Sequence, residues 1–281
     1  MLPIHKIIWH EWREKRLPAR VPEPEYMVDP AQIQAYVTAY EWNGPASALQ
    51  LYHLTQLASM IRPGDTVVDL ACGPGPLLLE LAPLFPDCLF IGADLSQPML
   101  DALSEAAAQR GLRNVHTLCE DIRDLPSLAD LTVDMVISTS ALHHLPDLEC
   151  LDQVFARVER LLKPDGGFYS FDFGLVRSAK ARALLVADVA RRAPALTAQD
   201  YRLSLDAAFP MAEVIASARR ALSRPLTVRS SWFVDFFYFI RTRDRGPPAP
   251  AVLAYVQAMR ARCDVSVRAE AAMLQRLQRV R

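Results

Sequence analysis

The sequence predicts an α/β fold: a doubly wound, mostly parallel sheet with helices on both faces. Three observations predict it. An apolar, β-branched run ends at an acid and a glycine-rich turn in Val67-Val68-Asp69-Leu70-Ala71-Cys72-Gly73-Pro74-Gly75-Pro76-Leu77, and a leucine-rich segment follows. Downstream, short apolar runs alternate with amphipathic ones, as right-handed βαβ crossovers require. Two further apolar runs then lie close enough together to form an antiparallel pair.

The elements follow in order. Ile4, Ile8 and Trp12 repeat every four residues and mark a helix face within Ile4 to Arg16. Pro18, Pro22, Pro24 and Pro30 then impose an extended link. Helices are expected over 31–41 and 46–61, separated by Asn43-Gly44-Pro45. Strands are expected at 65–70, 88–94, 114–119, 133–138 and 167–173, with helices at 76–82, 97–110 and 148–162. Leu148, Leu151, Val154, Phe155, Val158 and Leu162 form one apolar stripe on the last of these. Lys163-Pro164-Asp165-Gly166-Gly167 reads as a turn. The Ala- and Arg-rich segment 178–222 is helical and interrupts the alternation, as an insertion over an active site would. Strands at 226–230 and 233–242 complete a seven-stranded sheet, and a basic helix follows the break at Gly246-Pro247-Pro248. The expected division is an arm or lid at 1–62, a core at 63–177, the insertion or cap at 178–222, the final strand pair at 223–245 and a C-terminal helix at 246–281.

Composition narrows the function classes. Of 281 residues, 51% are hydrophobic, which suits one sizeable globular domain with additions. No run approaches the ~20 apolar residues of a membrane span, and Ile4 to Arg16 interleaves apolar and charged residues unlike a signal peptide. The expectation is a cytoplasmic protein with no membrane partner, its first helix packing on its own domain or on a second copy, as in a homodimer. Five cysteines without a C-x-x-C pair read as reduced thiols, and no metal site is expected. Net charge is −1, unevenly spread: residues 65–165 carry 17 acids and 6 bases, and residues 177–281 carry 8 acids and 19 bases. Either a basic cap complements an acidic core, or the cap receives an anionic substrate. The scattered arginines do not form the basic block with aromatics that nucleic acid binding needs.

At the glycine turn, Gly73 and Gly75 lack a Cβ, so a ligand can approach the backbone. Pro76 suits the first helical position. The dinucleotide fingerprint G-x-G-x-x-G/A would want a small residue where Leu78 stands, and the phosphate loop G-x-x-x-x-G-K-[ST] is absent. The segment resembles motif I of the class I S-adenosylmethionine-dependent methyltransferases, often written DxxCGxG. Asp94 lies 19 residues after Gly75, near the ~20-residue spacing at which an acid meets a ribose diol. Ser138-Thr139-Ser140-Ala141-Leu142-His143-His144-Leu145-Pro146-Asp147 resembles motif IV of the small-molecule members, often ALHHL-x-D. The Asn/Asp-Pro-Pro-Tyr and Pro-Cys signatures of DNA base methylation are absent, which again weighs against nucleic acid.

The resemblance implies a Rossmann-like core that binds S-adenosylmethionine and releases S-adenosylhomocysteine. It implies that Ala71, Gly73 and Gly75 form the cofactor turn and that Asp94 holds the ribose. Leu95 and Met99 would pack on the adenine, Asp121 would accept its amino group, and the Ile122 N–H would face a ring nitrogen. Asp69 would fix the turn or face the methionine ammonium, together with the Ser138 and Thr139 carbonyls. His143 and His144 are the candidates for acid–base work, with Asp172 orienting an amine or hydroxyl. Tyr26, Tyr36, Tyr40 and Trp42 would form a lid, with Trp232 and Tyr238 from the far edge. The implied activity is methyl transfer to an O, N or C atom of a small-molecule substrate. The alternatives are an inactive methyltransferase-like scaffold and another group transfer from the same cofactor.

Overall fold

The computed structural model describes residues 3–27, 29–41, 43–276 and 278–280. The chain begins with α1 (Ile4–Arg13), α2 (Pro30–Ala39) and α3 (Ser47–Leu57). The alternating region holds β1 (Thr66–Leu70), α4 (Pro76–Leu81), β2 (Leu89–Asp94), α5 (Gln97–Gln109), β3 (Val115–Cys119) and β4 (Val133–Thr139). A 3-10 turn (Leu142–His144), α6 (Leu148–Leu161) and β5 (Leu162–Phe173) follow. Three helices come next, α7 (Ala179–Ala190), α8 (Ala195–Ala207) and α9 (Met211–Ala221). The chain then forms β6 (Thr227–Ser231), β7 (Phe237–Arg241), α10 (Pro250–Arg262), α11 (Val265–Arg276) and β8 (Gln278–Val280).

The strands form one sheet in the order β3-β2-β1-β4-β5-β7-β6-β8. Pairing is parallel from β3 through β5, and β7 runs antiparallel to both β5 and β6. The seven expected strands are present. Short β8 adds an eighth at the edge beside β6. The expected turn at 163–167 is instead a bulge inside β5: Leu162 pairs with Val133, and the next partners are Gly167 and Met135. Gly166 permits it, because a Cβ there would meet the Lys163 carbonyl oxygen at 2.9 Å.

Local chemistry sets the helix starts. Gly75 sits at φ 61° before Pro76 at the head of α4. The Ser96 side chain accepts the Met99 N–H to cap α5, and Asp147 accepts the Cys150 N–H to cap α6. On α6, Leu151, Val154, Phe155 and Val158 of the predicted stripe, joined by Leu161, are buried against the sheet, each contributing about 1.5–3 kcal/mol, whereas Leu148 is 39% exposed and Leu162 already opens β5.

One face of the sheet is covered by α3, α4 and α5, with α10 and α11 behind α3. The other is covered by α6 and α9, through Val154, Phe155, Val214 and Ala218. Segment 178–222 is therefore not uniform: α9 is a sheet-covering helix, and only α7 and α8 stand apart. The C-terminal segment likewise holds two helices and a strand where a single helix is expected.

The arm packs on α7 and α8. Ile7 joins Val176, Ala181, Leu185 and Leu205 in a separate apolar cluster. Glu11, 1% exposed, accepts the Arg177 and Ser178 N–H groups at 2.9 and 3.0 Å, so its charge faces the start of α7. Among the described residues no helix is long and apolar enough to cross a membrane.

Candidate active site

The strand order reverses between β1 and β4, and the crevice at the carboxyl ends of these strands is where open α/β sheets bind ligands. Both strands end on left-handed non-glycine residues, Ala71 at φ 50° and Ser140 at φ 54°. Such residues cost of order 1–2 kcal/mol each and cluster at sites.

On the β1/β2 side a small pocket is lined by Ala71, Asp94, Leu95, Asp121, Ile122, Ala141 and His144, with Glu25 from the arm. Asp94 Oδ2 accepts the Gly73 N–H and Oδ1 the Ser96 N–H, both at 2.8 Å. Its carboxylate thus ties the glycine turn to the head of α5. Burial raises its pKa, and those N–H groups work against the rise. A Cβ on Gly75 would strike the Leu103 side chain, whereas one on Gly73 would find nothing nearer than 3.9 Å, at Met99 and Tyr36. Gly75 is required for packing, and Gly73 leaves open space at the turn.

Asp121 is already engaged. Arg123 donates to it from its backbone N–H at 2.8 Å and from Nε at 2.9 and 2.8 Å, and also approaches Glu25 at 3.3 Å. Burial raises the Asp121 pKa, but the Arg123 bonds outweigh it and hold the group below its ordinary value. An adenine amino group would share this carboxylate with Arg123.

Asp69 is 3% exposed, and its Oδ1 has no hydrogen-bond partner among the described residues. Burial, and then the neighbouring Asp94 charge, push its pKa to about 8. A cation at this oxygen would reverse that shift. Ser138 Oγ is buried and equally unpartnered. Ser138 and Thr139 line neither this pocket nor the larger cavity beyond it, whereas Ser140, just past β4, lines the latter.

The two histidines differ sharply. Fully buried Asp172 binds His143 Nδ1 at 2.6 Å, accepts the Ala141 and His143 N–H groups at 3.2 Å, and accepts the Phe173 N–H at 2.7 Å. Asp172 is thus engaged by His143 and three backbone N–H groups and lines neither the small pocket nor the cavity beyond it. Burial lowers the His143 pKa, yet Asp172 and then Glu23 reverse this and hold it at about 9. Burial and the His143 charge lower that of His144. His144 is the residue common to the small pocket and to a larger cavity beyond it.

That cavity measures about 280 Å³. Its walls include Met27, stacked Tyr36 and Tyr40 with centroids 4.8 Å apart, Phe171, Phe173 and Phe237. Of the expected lid residues, Tyr36 and Tyr40 line this cavity. Tyr26 is 50% exposed and lines neither pocket. Trp232 instead donates to the Gln278 carbonyl at 2.6 Å, and Tyr238 is buried under the sheet. Trp42 lies outside the described residues. The basic surplus does not reach the cavity. Arg192 is bonded to Asp188 at 3.1 Å and Glu270 at 2.9 Å, and Asp200 adds another acid to the wall. An anionic acceptor finds no free cation among these groups.

Sequence reasoning missed the arm's polar residues. Arg20 lies 3.8 Å over the Phe209 ring and donates to the carbonyls of His143, Leu145, Pro146 and Ala207. It clamps the arm onto the turn that carries both histidines. Glu23 follows, with Oε1 3.3 Å from His143 Nε2 and 3.6 Å from His144 Nδ1. The Pro22-Glu23-Pro24-Glu25 run reads as extended, but nothing in the sequence says what it crosses.

Comparison with known proteins agrees with this architecture. Residues 67–166 match the methyltransferase domain family. Over 106 residues the chain is 36% identical to nocamycin O-methyltransferase of Saccharothrix syringae, covering 37% of this chain and 36% of that protein. Over 109 residues it is 35% identical to a demethylmenaquinone methyltransferase of Symbiobacterium thermophilum, covering 38% and 42%. The chain thus spans less than half the length of these relatives. A methyltransferase of Aquifex aeolicus superposes with a TM-score of 0.55 over 77% of this chain and 98% of its own, at 18% identity. Phosphoethanolamine N-methyltransferase 2 of Haemonchus contortus, in complex with S-adenosylmethionine, gives 0.57 over 75% and 56%, at 15% identity. Residues 67–166 thus carry a methyltransferase domain, set in the fold of the class I S-adenosylmethionine-dependent methyltransferases.

Proposed function

We propose that the protein transfers a methyl group from S-adenosylmethionine to a small-molecule acceptor. The observation that carries this reading is the pair of pockets meeting at His144. One is small and rimmed by Asp94 and Asp121; the other is large, aromatic and covered by the arm. The residues fit the cofactor. Asp94 and Asp121 offer carboxylates to a nucleoside, Leu95 and Ile122 offer apolar faces, and the unpartnered Asp69 oxygen suits the cationic methionine end.

When bound, the cofactor supplies an electrophilic sulfonium methyl. The chain's own part is mostly positioning, which can supply roughly 7–11 kcal/mol when reacting atoms are held in line. The arm, with α7 and α8, screens the acceptor from water. Tyr36, Tyr40 and Phe171 hold its apolar body, and the His143–His144 turn orients its nucleophilic atom from the wall nearest the small pocket. The acids in the wall, Asp188, Asp200 and Glu270 beside Arg192, favour neutral or cationic molecules.

The test is labelling of a metabolite extract by the purified protein with radiolabelled S-adenosylmethionine. Label in a small compound is expected. Label in nucleic acid or protein instead would overturn the acceptor class. No binding of S-adenosylhomocysteine by folded protein would overturn the cofactor and leave a scaffold.

A further inference from the structure

We propose that Glu23, His143 and His144 bind a divalent transition-metal ion of the zinc type in the wall between the two pockets. This deepens the acceptor side of the function proposed above and rests on it for the ion's role, not for its binding. One donor atom from each residue lies within 4.8 Å of the others. Glu23 Oε1 is 3.3 Å from His143 Nε2 and 3.6 Å from His144 Nδ1. Ligands about 2.0–2.1 Å from a tetrahedral ion lie roughly 3.3–3.4 Å apart, so the two separations from Glu23 match a shared ion, while the histidine nitrogens lie within 4.8 Å of each other.

A second observation is independent of spacing. Glu23 Oε1 and His143 Nε2 are buried, on side chains 6% and 2% exposed, and neither has a hydrogen-bond partner among the described residues. They face each other at 3.3 Å as an ion pair without a well-aligned hydrogen bond, a costly arrangement for groups shut off from water. An ion between them satisfies both. A third observation concerns orientation. Asp172 holds His143 Nδ1 at 2.6 Å, which leaves Nε2 to face Glu23. Metal-ligating histidines carry such a carboxylate on the other ring nitrogen. His144 Nδ1 lies 3.0 Å from the Pro24 carbonyl, so the ion competes there with the proton of one hydrogen bond.

Two imidazoles and a carboxylate suit zinc better than magnesium or calcium, which prefer all-oxygen shells. Three protein ligands leave a position for water or substrate. Both histidines line the large cavity. The open position would hold water or a donor atom of the acceptor.

The experiment uses the full chain, stripped with a chelator and titrated with zinc chloride by calorimetry. Circular dichroism and S-adenosylhomocysteine titration are run on the same samples. One ion per chain is expected. Glu23→Gln and His144→Gln should each weaken binding at least tenfold, and Asp172→Asn by about 10–100-fold. The proposal falls if the native chain binds no zinc, or if all three variants bind as the native chain does. If a variant loses its fold, the cobalt-substituted native chain decides. Intense visible bands of a four- or five-coordinate ion with imidazole ligands are expected, and the weak spectrum of a six-coordinate aqua ion overturns the proposal. Absent zinc binding with intact S-adenosylhomocysteine binding sinks the ion alone. Absent S-adenosylhomocysteine binding sinks the cofactor reading, whatever zinc does.

Discussion

Replacing Asp94 separates the ribose clamp from the architecture of the turn. Its two oxygens accept the Gly73 and Ser96 N–H groups at 2.8 Å and line the small pocket. Asp94→Ala removes both acceptors. Each N–H left buried without a partner costs about 1–3 kcal/mol, so the free protein should lose roughly 2–6 kcal/mol. Asp94→Asn keeps one acceptor oxygen and should lose about half of that. For the cofactor, two hydroxyls donating to a carboxylate are worth about 1.5–3 kcal/mol each. The full loss would be about 3–6 kcal/mol, or roughly 10²–10⁴-fold in Kd. The lower end is expected, because burial already disfavours the Asp94 charge and its removal recovers part of that penalty. Calorimetric titration with S-adenosylhomocysteine measures the change, and urea unfolding measures the stability term separately. Asp101→Asn is the control, since Asp101 is exposed on α5 and bonded to Gln97 at 2.7 Å. A Kd for Asp94→Ala within threefold of native, in a folded protein, would refute the ribose assignment.

Three further outcomes are expected. Arg20→Lys cannot serve the carbonyls of His143, Leu145, Pro146 and Ala207 from one point charge; it should lose about 1.5–3 kcal/mol in urea unfolding, and a change under 0.5 would show that the clamp is dispensable. Burial lowers the His53 pKa from 6.5 to about 3, so the unfolded chain binds the extra proton and stability rises with pH between those values, by about 1.4 kcal/mol per unit. His53→Gln should therefore shrink the stability gap between about pH 4.5 and 7 by roughly 2–3 kcal/mol; an unchanged gap would place the imidazole in water. Asp69 has the opposite sign, because burial and then Asp94 raise its folded pKa from 3.8 to about 8: the native state keeps the proton, and stability falls as pH climbs between those values. Asp69→Asn should flatten that slope in the free protein and weaken S-adenosylmethionine binding about tenfold or more; tighter binding by the variant would remove Asp69 from the cofactor site.

The sheet was legible because short, near-continuous apolar runs alternate with segments of period 3.6 from Thr66 to Phe173, and each α/β unit is read locally. Its far edge was less so. Three residues of β8 carry no pattern, and α9 looks like cap until Val214 and Ala218 are seen against α6. The cofactor side was legible for the same local reason. Asp69, Asp94 and Asp121 each sit at or just past a strand end, where register alone fixes their place. The acceptor side was not. His143 and His144 are chemically identical in the sequence, and what divides them is supplied from elsewhere: Asp172 from β5 and Glu23 from the arm, at separations of 29 and 120 residues. Glu23 sits in an extended proline-rich link, which has no periodicity to betray a buried face. Its position depends on Arg20, whose guanidinium reads carbonyl oxygens that any residue could present. A charge total fails for the same reason. The 19 bases of residues 177–281 suggest a cation-lined cap, yet at the cavity Arg192 is held between Asp188 and Glu270. Composition counts charges, but a substrate meets only those left unpaired, and pairing is a property of the fold.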